Sequence, residues 1–318
     1  MPVLEQSTYV APWWAGNGHV QTLVSALTAH APHVAYVRER IETLDGDFLD
    51  LDWSAASRDR LVILSYGMES EARASYVRRV VLAVNRAGWD ALVWNYRSCG
   101  GEPNRKKHFY HGGLTGDLHA VVRTALARGY KHIDLVGFSL GGNLTLNYLG
   151  FRGTDVPKEI RAAVAISTPV DVADCARALH RPFSSLYAKL FLRAFRKRIR
   201  TKMIARPGSI TDEGYEQIHS LEEYDARYTV PDFGLETVDN FYHFVSSKHL
   251  LHNVRVPSLL ISAKNDPFMG PSCYPIELAR ENPHLTLEMP DSGGHLGFIS
   301  RDHWLEKRVV EFLTSTPS

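Results

Sequence analysis

Gly137-Phe138-Ser139-Leu140-Gly141 sets a serine between two glycines. It stands at the end of the apolar run Ile133 to Val136 and ahead of Asn143 to Leu149, where apolar residues recur at helical spacing. A strand, a sharp turn and a helix in that order form a nucleophile elbow, which lifts a serine hydroxyl above the end of a sheet. The flanking glycines suit a strained turn whose neighbours approach too closely for a Cβ. A bare Gly-x-Ser-x-Gly string arises by chance in about one chain in ten of this length, given the usual abundance of glycine. The strand and helix around this one make it specific. A serine hydroxyl is a weak nucleophile at neutral pH and needs a base within hydrogen-bond reach, itself oriented by a third group.

The chain offers fifteen histidines from which to draw that base. His295 is the one in a Gly-rich loop, Gly293-Gly294-His295-Leu296-Gly297, directly after the last strand-like run, Leu285 to Met289. Asp266 follows the preceding run, Ser258 to Ala263, with Pro267 behind it to favour an extended turn. Asp291 shares the loop of His295 and Glu277 falls on a following helix, so Asp266 is the expected acid. The chain order Ser139, Asp266, His295 is that of an α/β-hydrolase triad.

Two amide N–H groups aimed at the developing oxyanion would complete such a site. One is Leu140, at the positive end of the elbow helix. The other is Met68, in the loop Ser65-Tyr66-Gly67-Met68-Glu69 after the first parallel strand. The expected reaction is attack by Ser139 on an acyl ester, proton transfer to His295, an acyl-enzyme, and release to water or to an alcohol. This chemistry calls for no cofactor and no metal. Cys99, Cys175 and Cys273 are widely spaced with no CxxC, which suggests neither a disulfide framework nor a zinc site.

The elements that must position these residues alternate. Strand-like runs at Leu61 to Leu64 and Ala91 to Trp94 enclose a helix over Glu71 to Ala87 that stops at Gly88, which requires a parallel pair. Thr115 to Ala127 is the next helix, and the elbow strand and Ala162 to Ile166 follow. His33 to Ile41 and Phe48 to Trp53 read as a hairpin turned at Asp45-Gly46-Asp47, and His303 to Leu313 as a closing helix. The fold class is therefore α/β: an α/β-hydrolase fold, a mostly parallel central sheet flanked by helices. Residues 1–318 form a single domain with a helical cap inserted at about 170–250, where the strand rhythm disappears. Asp117, in the first turn of its helix, reads as a dipole-capping residue. Trp13-Trp14 read as anchors packed on the domain, His19 as a structural hydrogen-bonder, and Arg105 to His108 as a solvated basic loop.

Charge within the inserted segment is segregated. Residues 176–211 hold ten Lys or Arg and no acid, and 212–239 hold nine acids and one Arg. Phe191, Phe195, Ile199 and Met203 recur every four residues, with Arg193, Arg196, Lys197, Arg200 and Lys202 around them. Such a helix can cover an active site, its charges facing water or the acidic half; it can also contact an anionic membrane surface peripherally. The net charge of +1 gives no reason to expect nucleic acid. The first Lys or Arg is Arg38 and no apolar run reaches a spanning length, so a soluble, cytoplasmic protein is expected. Oligomeric state is not readable.

Six segments together resemble the YheT-like family of α/β-hydrolases: Gly18-His19-Val20-Gln21-Thr22, Tyr66-Gly67-Met68-Glu69, Asn95 to Arg105 with its Glu102-Pro103-Asn104-Arg105, Gly137 to Asn143, Asp266-Pro267-Phe268-Met269, and Gly293 to Phe298. That family includes yeast medium-chain ethyl ester synthase/esterases and plant embryogenesis-associated hydrolases. The resemblance implies a serine carboxylesterase acting on short- to medium-chain acyl esters, with the triad on Ser139, Asp266 and His295. One departure is Tyr66, where relatives commonly carry His before the oxyanion glycine. Two alternatives keep their place: an acyltransferase using the same acyl-enzyme with an alcohol as acceptor, and a non-catalytic ligand-binding protein. The intact nucleophile, acid and base weigh against the second.

Overall fold

The computed structural model describes residues 2–4, 6–28, 30–56 and 60–316. Its centre is a nine-stranded sheet built from β1 (Val3–Leu4), β2 (Val37–Glu42), β3 (Phe48–Ser54), β4 (Arg60–Ser65), β5 (Asp90–Asn95), β6 (His132–Phe138), β7 (Ile160–Ile166), β8 (Ser258–Ile261) and β9 (Leu285–Glu288). Their order is β1-β9-β8-β7-β6-β4-β5-β3-β2. The pairs from β5 through β9 to β1 are all parallel, whereas β2 and β3 form an antiparallel flank. The continuous apolar runs of β4 to β8 fit strands buried on both faces. At the exposed edge, Arg38 of β2 stands opposite Asp52 and Arg40 opposite Asp50, and each pair closes in bidentate fashion. Charge on an edge strand discourages pairing with another chain.

Helices α1 (Gly18–Thr28), α2 (Ser75–Arg86), α3 (Thr115–Ala127), α4 (Leu140–Arg152), α9 (Ile276–Glu281) and α10 (Trp304–Ser315) accompany the sheet. In α2 the buried residues are Val77, Val80, Val81 and Val84, one stripe of the helix. Between β7 and β8 lie α5 (Val172–Leu179), α6 (Ser185–Ala205), α7 (Leu221–Tyr224), a π-type turn over Asp225–Thr229, and α8 (Val238–Val245). Among the described residues this stretch contains no strand.

Several local expectations are corrected. Trp13 and Trp14 are not packed anchors: they are 96% and 44% exposed, and the arm is instead held by buried Tyr9, whose hydroxyl lies 2.8 Å from Gln21 Oε1. β2 starts at Val37 rather than His33, and α2 at Ser75 rather than Glu71. β1 had no signal in the sequence, since two residues carry no alternation. Asp117 does more than cap α3, because it takes a bidentate ion pair from buried Arg97 at 2.7 and 2.8 Å. Lys202, placed among the outward charges of its helix, is fully buried. Its ammonium donates to Asn104 Oδ1 at 2.8 Å and to the carbonyls of Lys106 and Lys107, acceptors for all three of its N–H bonds.

The apolar stripe of α6 faces inward. Leu192, Phe195 and Ile199 pack on Tyr215, Ile218 and Tyr224, with Phe191 and Met203 partly buried beside them. The two charge blocks meet, Arg196 and Arg200 both pairing with Asp212. Among the described residues no helix is long and apolar enough to cross a membrane.

Candidate active site

Ser139 stands between β6 and α4 with φ 51° and ψ −118°, a backbone conformation that side chains rarely adopt. The glycines explain how the chain accommodates it. A Cβ on Gly137 would lie 2.4 Å from the Gly141 carbonyl oxygen, and one on Gly141 would lie 2.1 Å from that of Ser65. The Ser139 amide is itself tied to the Ile166 carbonyl at 2.8 Å.

The structure brings Ser139, His295 and Asp266 together from three loops. Ser139 Oγ is 2.9 Å from His295 Nε2, and His295 Nδ1 is 2.9 Å from Asp266 Oδ2. A carboxylate only accepts, so Nδ1 carries the hydrogen and Nε2 of the neutral ring is free to accept from the serine. Phe268 stacks flat on the imidazole at 3.9 Å, and its amide donates to Asp266 Oδ1 at 2.9 Å. Asp266 and Ser139 are buried.

Sequence reasoning missed the residues that hold these three. The amide of His295 donates to Thr22 Oγ1 at 2.8 Å, and that of Gly294 to Asn265 Oδ1 at 3.0 Å. Asn265 also reaches the Gly16 carbonyl through Nδ2 at 2.9 Å. The Gly18-to-Thr22 segment is therefore a brace for the acid and base loops, and its identity as a recurring motif was the only signal. His19 has the structural role expected of it, stacking on Tyr187 with Nδ1 3.2 Å from the tyrosine hydroxyl.

Met68 and Leu140 both line the cavity that reaches Ser139. As the first residue of α4, Leu140 has an amide with no intrahelical acceptor. Gly67 abuts the serine, since a Cβ there would lie 3.4 Å from Ser139 Cβ. The loop is fixed by Tyr76, whose hydroxyl accepts from the Gly67 amide at 2.9 Å, and by Tyr110, whose hydroxyl accepts from the Glu69 amide at 2.8 Å. Tyr66 turns its ring into the core, where its hydroxyl accepts from the Tyr96 amide at 2.9 Å. That side chain therefore makes its contacts away from Ser139.

The Glu102-Pro103-Asn104-Arg105 motif lies outside the reacting centre. Asn104 is fully buried, donating to Asp47 Oδ2 at 2.7 Å and to the His108 carbonyl at 2.9 Å. Burial pushes the Asp47 carboxyl up, but hydrogen bonds from Asn104 and the amides of Arg105, Lys106 and Phe48 outweigh it and hold the group below the usual range. This knot shapes the segment from His108 to Gly112, which walls the cavity.

Two spaces meet at Ser139. One is an apolar cavity beneath α5, α6 and α8, walled by Val172, Leu179, Phe195, Phe241 and Val245. The other is a more open groove between α1 and α6, lined by Leu23, Leu27, Tyr187, Leu190 and Leu296 together with His295. Asp225 and His111 are among the polar groups that border the cavity. Burial raises the Asp225 carboxyl to about 7 although Thr229 and Tyr242 hydroxyls donate to it at 2.7 and 3.1 Å. Burial lowers His111 to about 3, and its Nδ1 accepts from the Gly113 amide at 3.0 Å.

A family signature described as alpha/beta hydrolase fold matches residues 62–302. The chain is 32% identical over 313 residues to YheT of Escherichia coli (strain K12), an esterase by name, covering 94% of this chain and 91% of that one. It is 30% identical to mouse phospholipase ABHD3, covering 94% of this chain and 74% of the relative. Among solved structures, the Pyrococcus furiosus esterase Pf2001 superposes with a TM-score of 0.61 at 20% identity, over 88% of this chain and 90% of that one. At that identity the likeness bears on fold alone.

Proposed function

This chain belongs to the esterase/lipase-type α/β-hydrolases, in their YheT-like family, and from that premise we propose that it is a serine carboxylesterase acting on short- to medium-chain acyl esters. The observation that carries the reading is the run of hydrogen bonds from Ser139 Oγ through His295 to Asp266 at the junction of an apolar cavity and a somewhat more open groove. The acyl chain lies in the cavity beneath α6 and the alcohol portion leaves along the groove.

Ser139 Oγ attacks the ester carbonyl as its proton passes to His295 Nε2, and Asp266 stabilises the imidazolium without taking the proton. The Met68 and Leu140 amides receive the oxyanion; removal of one such donor typically costs about a hundredfold or more in rate. Collapse of the intermediate expels the alcohol with the proton from His295. Water, deprotonated by the same imidazole, then releases the acid and restores Ser139.

The groove side is apolar, which favours retention of an alcohol next to the acyl-enzyme. Acyl transfer to alcohols is accordingly a second outcome of the same intermediate. The test is p-nitrophenyl ester turnover by the parent and Ser139→Ala, with mass spectrometry after a fluorophosphonate probe. Loss of turnover and an adduct on Ser139 support the reading, and full turnover by the variant or labelling elsewhere sinks it. Ethanol added to the assay separates acid from ester product.

A further inference from the structure

Helix α6 has two faces, and only one is accounted for by the cavity. On the other, Leu186, Lys189, Leu190, Arg193, Lys197 and Arg200 are all exposed. At about 100° per residue they fall within roughly a third of the helix circumference. Lys189, Arg193 and Lys197 lie one turn apart, and among the described residues none of them pairs with a carboxylate, whereas Arg196 and Arg200 are taken up by Asp212. The Leu186–Leu190 end of this stripe sits at the groove that opens to Ser139. Leu190 lines that groove on one side and Leu27 on the other, and Leu27 is 82% exposed. Phe183, on the turn that leads into α6, is 80% exposed, with its ring 6.2 Å from that of His19 on α1. Large apolar side chains bared around an opening, continuous with unpaired cations, make one patch.

We propose that this patch docks on an anionic lipid surface, so that esters held in the layer reach Ser139 along the groove between α1 and α6. Its chemistry fits that occupant. A helix lying in a lipid interface sinks apolar side chains to the level of the headgroups and acyl boundary while cations meet anionic headgroups. Leu186, Leu190, Phe183 and Leu27 are the apolar set; Lys189, Arg193 and Lys197 are the cationic set. The inward stripe of Phe191, Phe195 and Ile199 takes no part, because it is packed on the protein. Docking does not depend on the chemistry assigned to Ser139, and a Ser139→Ala protein binds as the parent does.

The test is co-sedimentation with vesicles of phosphatidylglycerol and phosphatidylcholine in equal parts, against phosphatidylcholine alone. The parent pellets with the anionic vesicles at low salt. It is released at about 1 M salt, where the screening length falls to about 3 Å. Each cation near such a surface contributes about a factor of five in binding, so Lys189→Gln/Arg193→Gln/Lys197→Gln loses about a hundredfold. Phe183→Ser/Leu186→Ser also weakens binding, and both variants turn over a water-soluble short-chain ester like the parent. A parent protein that stays in the supernatant with anionic vesicles overturns the proposal, as does a triple variant that pellets equally well. So does self-association in size-exclusion chromatography that Phe183→Ser/Leu186→Ser abolishes while vesicle binding is unchanged, because the patch then belongs to a second copy.

Discussion

Arg198 of α6 is ion-paired with Glu69, the residue that follows Met68 in the loop beside Ser139. The pair fastens the helix that roofs the apolar cavity to the loop expected to bind the oxyanion. Both side chains are nearly buried, and Arg198 also sits over the Tyr110 ring at 4.8 Å, the residue whose hydroxyl holds the Glu69 amide. Glu69 itself has φ 55°, so its conformation depends on these restraints. Glu69→Gln leaves a buried guanidinium without its carboxylate, a loss of about 3–5 kcal/mol in stability by the usual cost of breaking such pairs. Because the Met68 amide drifts with the loop, kcat is expected to fall by at least tenfold while KM changes less. Thermal unfolding and steady-state kinetics on a soluble ester measure the two effects, and an unchanged kcat would show that the loop holds its position alone.

Gly18 lies far from the reacting atoms in sequence and close to them in space. A Cβ at this position would stand 1.9 Å from the Asn265 carbonyl oxygen, in the residue next to Asp266. Backbone cannot give way as a flexible side chain does, so Gly18→Ala must displace either α1 or the acid loop. Asn265 also holds the amide of Gly294, next to His295. Displacements near 1 Å in a catalytic constellation cost about a hundredfold in rate. The expected result is a drop in kcat of that order with slower fluorophosphonate labelling of Ser139 and a folded circular dichroism spectrum. Parent-like labelling would mean the brace is dispensable.

What the sequence disclosed and what it hid follow from the range of the forces involved. The elbow, the acid loop and the base loop were readable because each is a local string, an apolar run followed by a turn, with its chemistry inside it. The surroundings of Lys202 and Arg198 were not. The helix pattern places Lys202 among the charges around the apolar stripe, but its acceptors come from Asn104 and its neighbours, about a hundred residues earlier. A buried ammonium satisfied by three distant acceptors leaves no trace in helical periodicity. Trp13 and Trp14 failed for the opposite reason. Size and apolarity favour burial, yet the residues of the arm that are buried are Tyr9 and Ala15.

Asp225 gives the protein a pH response. Its carboxyl is raised to about 7 by burial, well above an unfolded value near 4. The folded chain therefore binds more protons than the unfolded one between those values, and stability present at low pH is lost as pH rises through about 7. The neighbouring Glu222 charge adds to the same effect. Asp225→Asn removes this term, so the melting temperature of the variant should gain on the parent as pH rises from about 4 to about 7 and keep that gain above it. Because the carboxyl borders the cavity proposed for the acyl chain, KM of the parent for a medium-chain ester should rise as pH passes through about 7 and that of the variant should not. Parallel profiles for the two proteins would remove Asp225 from both roles.

Ala176, on α5, lines the cavity and is buried against Phe241, Tyr242 and Val245. On the proposed placement a larger side chain there takes space from the acyl group rather than from the alcohol, because the residue borders the cavity beneath α5, α6 and α8 and not the groove. Ala176→Leu adds three carbon atoms to the wall, at a stability cost of about 1–3 kcal/mol for overpacking. Turnover of an acetate ester should stay close to that of the parent, since its acyl group ends near Ser139. Octanoate and longer esters should lose most of their kcat/KM, at about 0.8 kcal/mol for each methylene denied burial, which is roughly fourfold per carbon. A profile across ester chain lengths reads this directly. If the variant instead loses activity evenly from acetate to decanoate, the acyl chain does not enter beneath α5 and the assignment of the two spaces must be reversed.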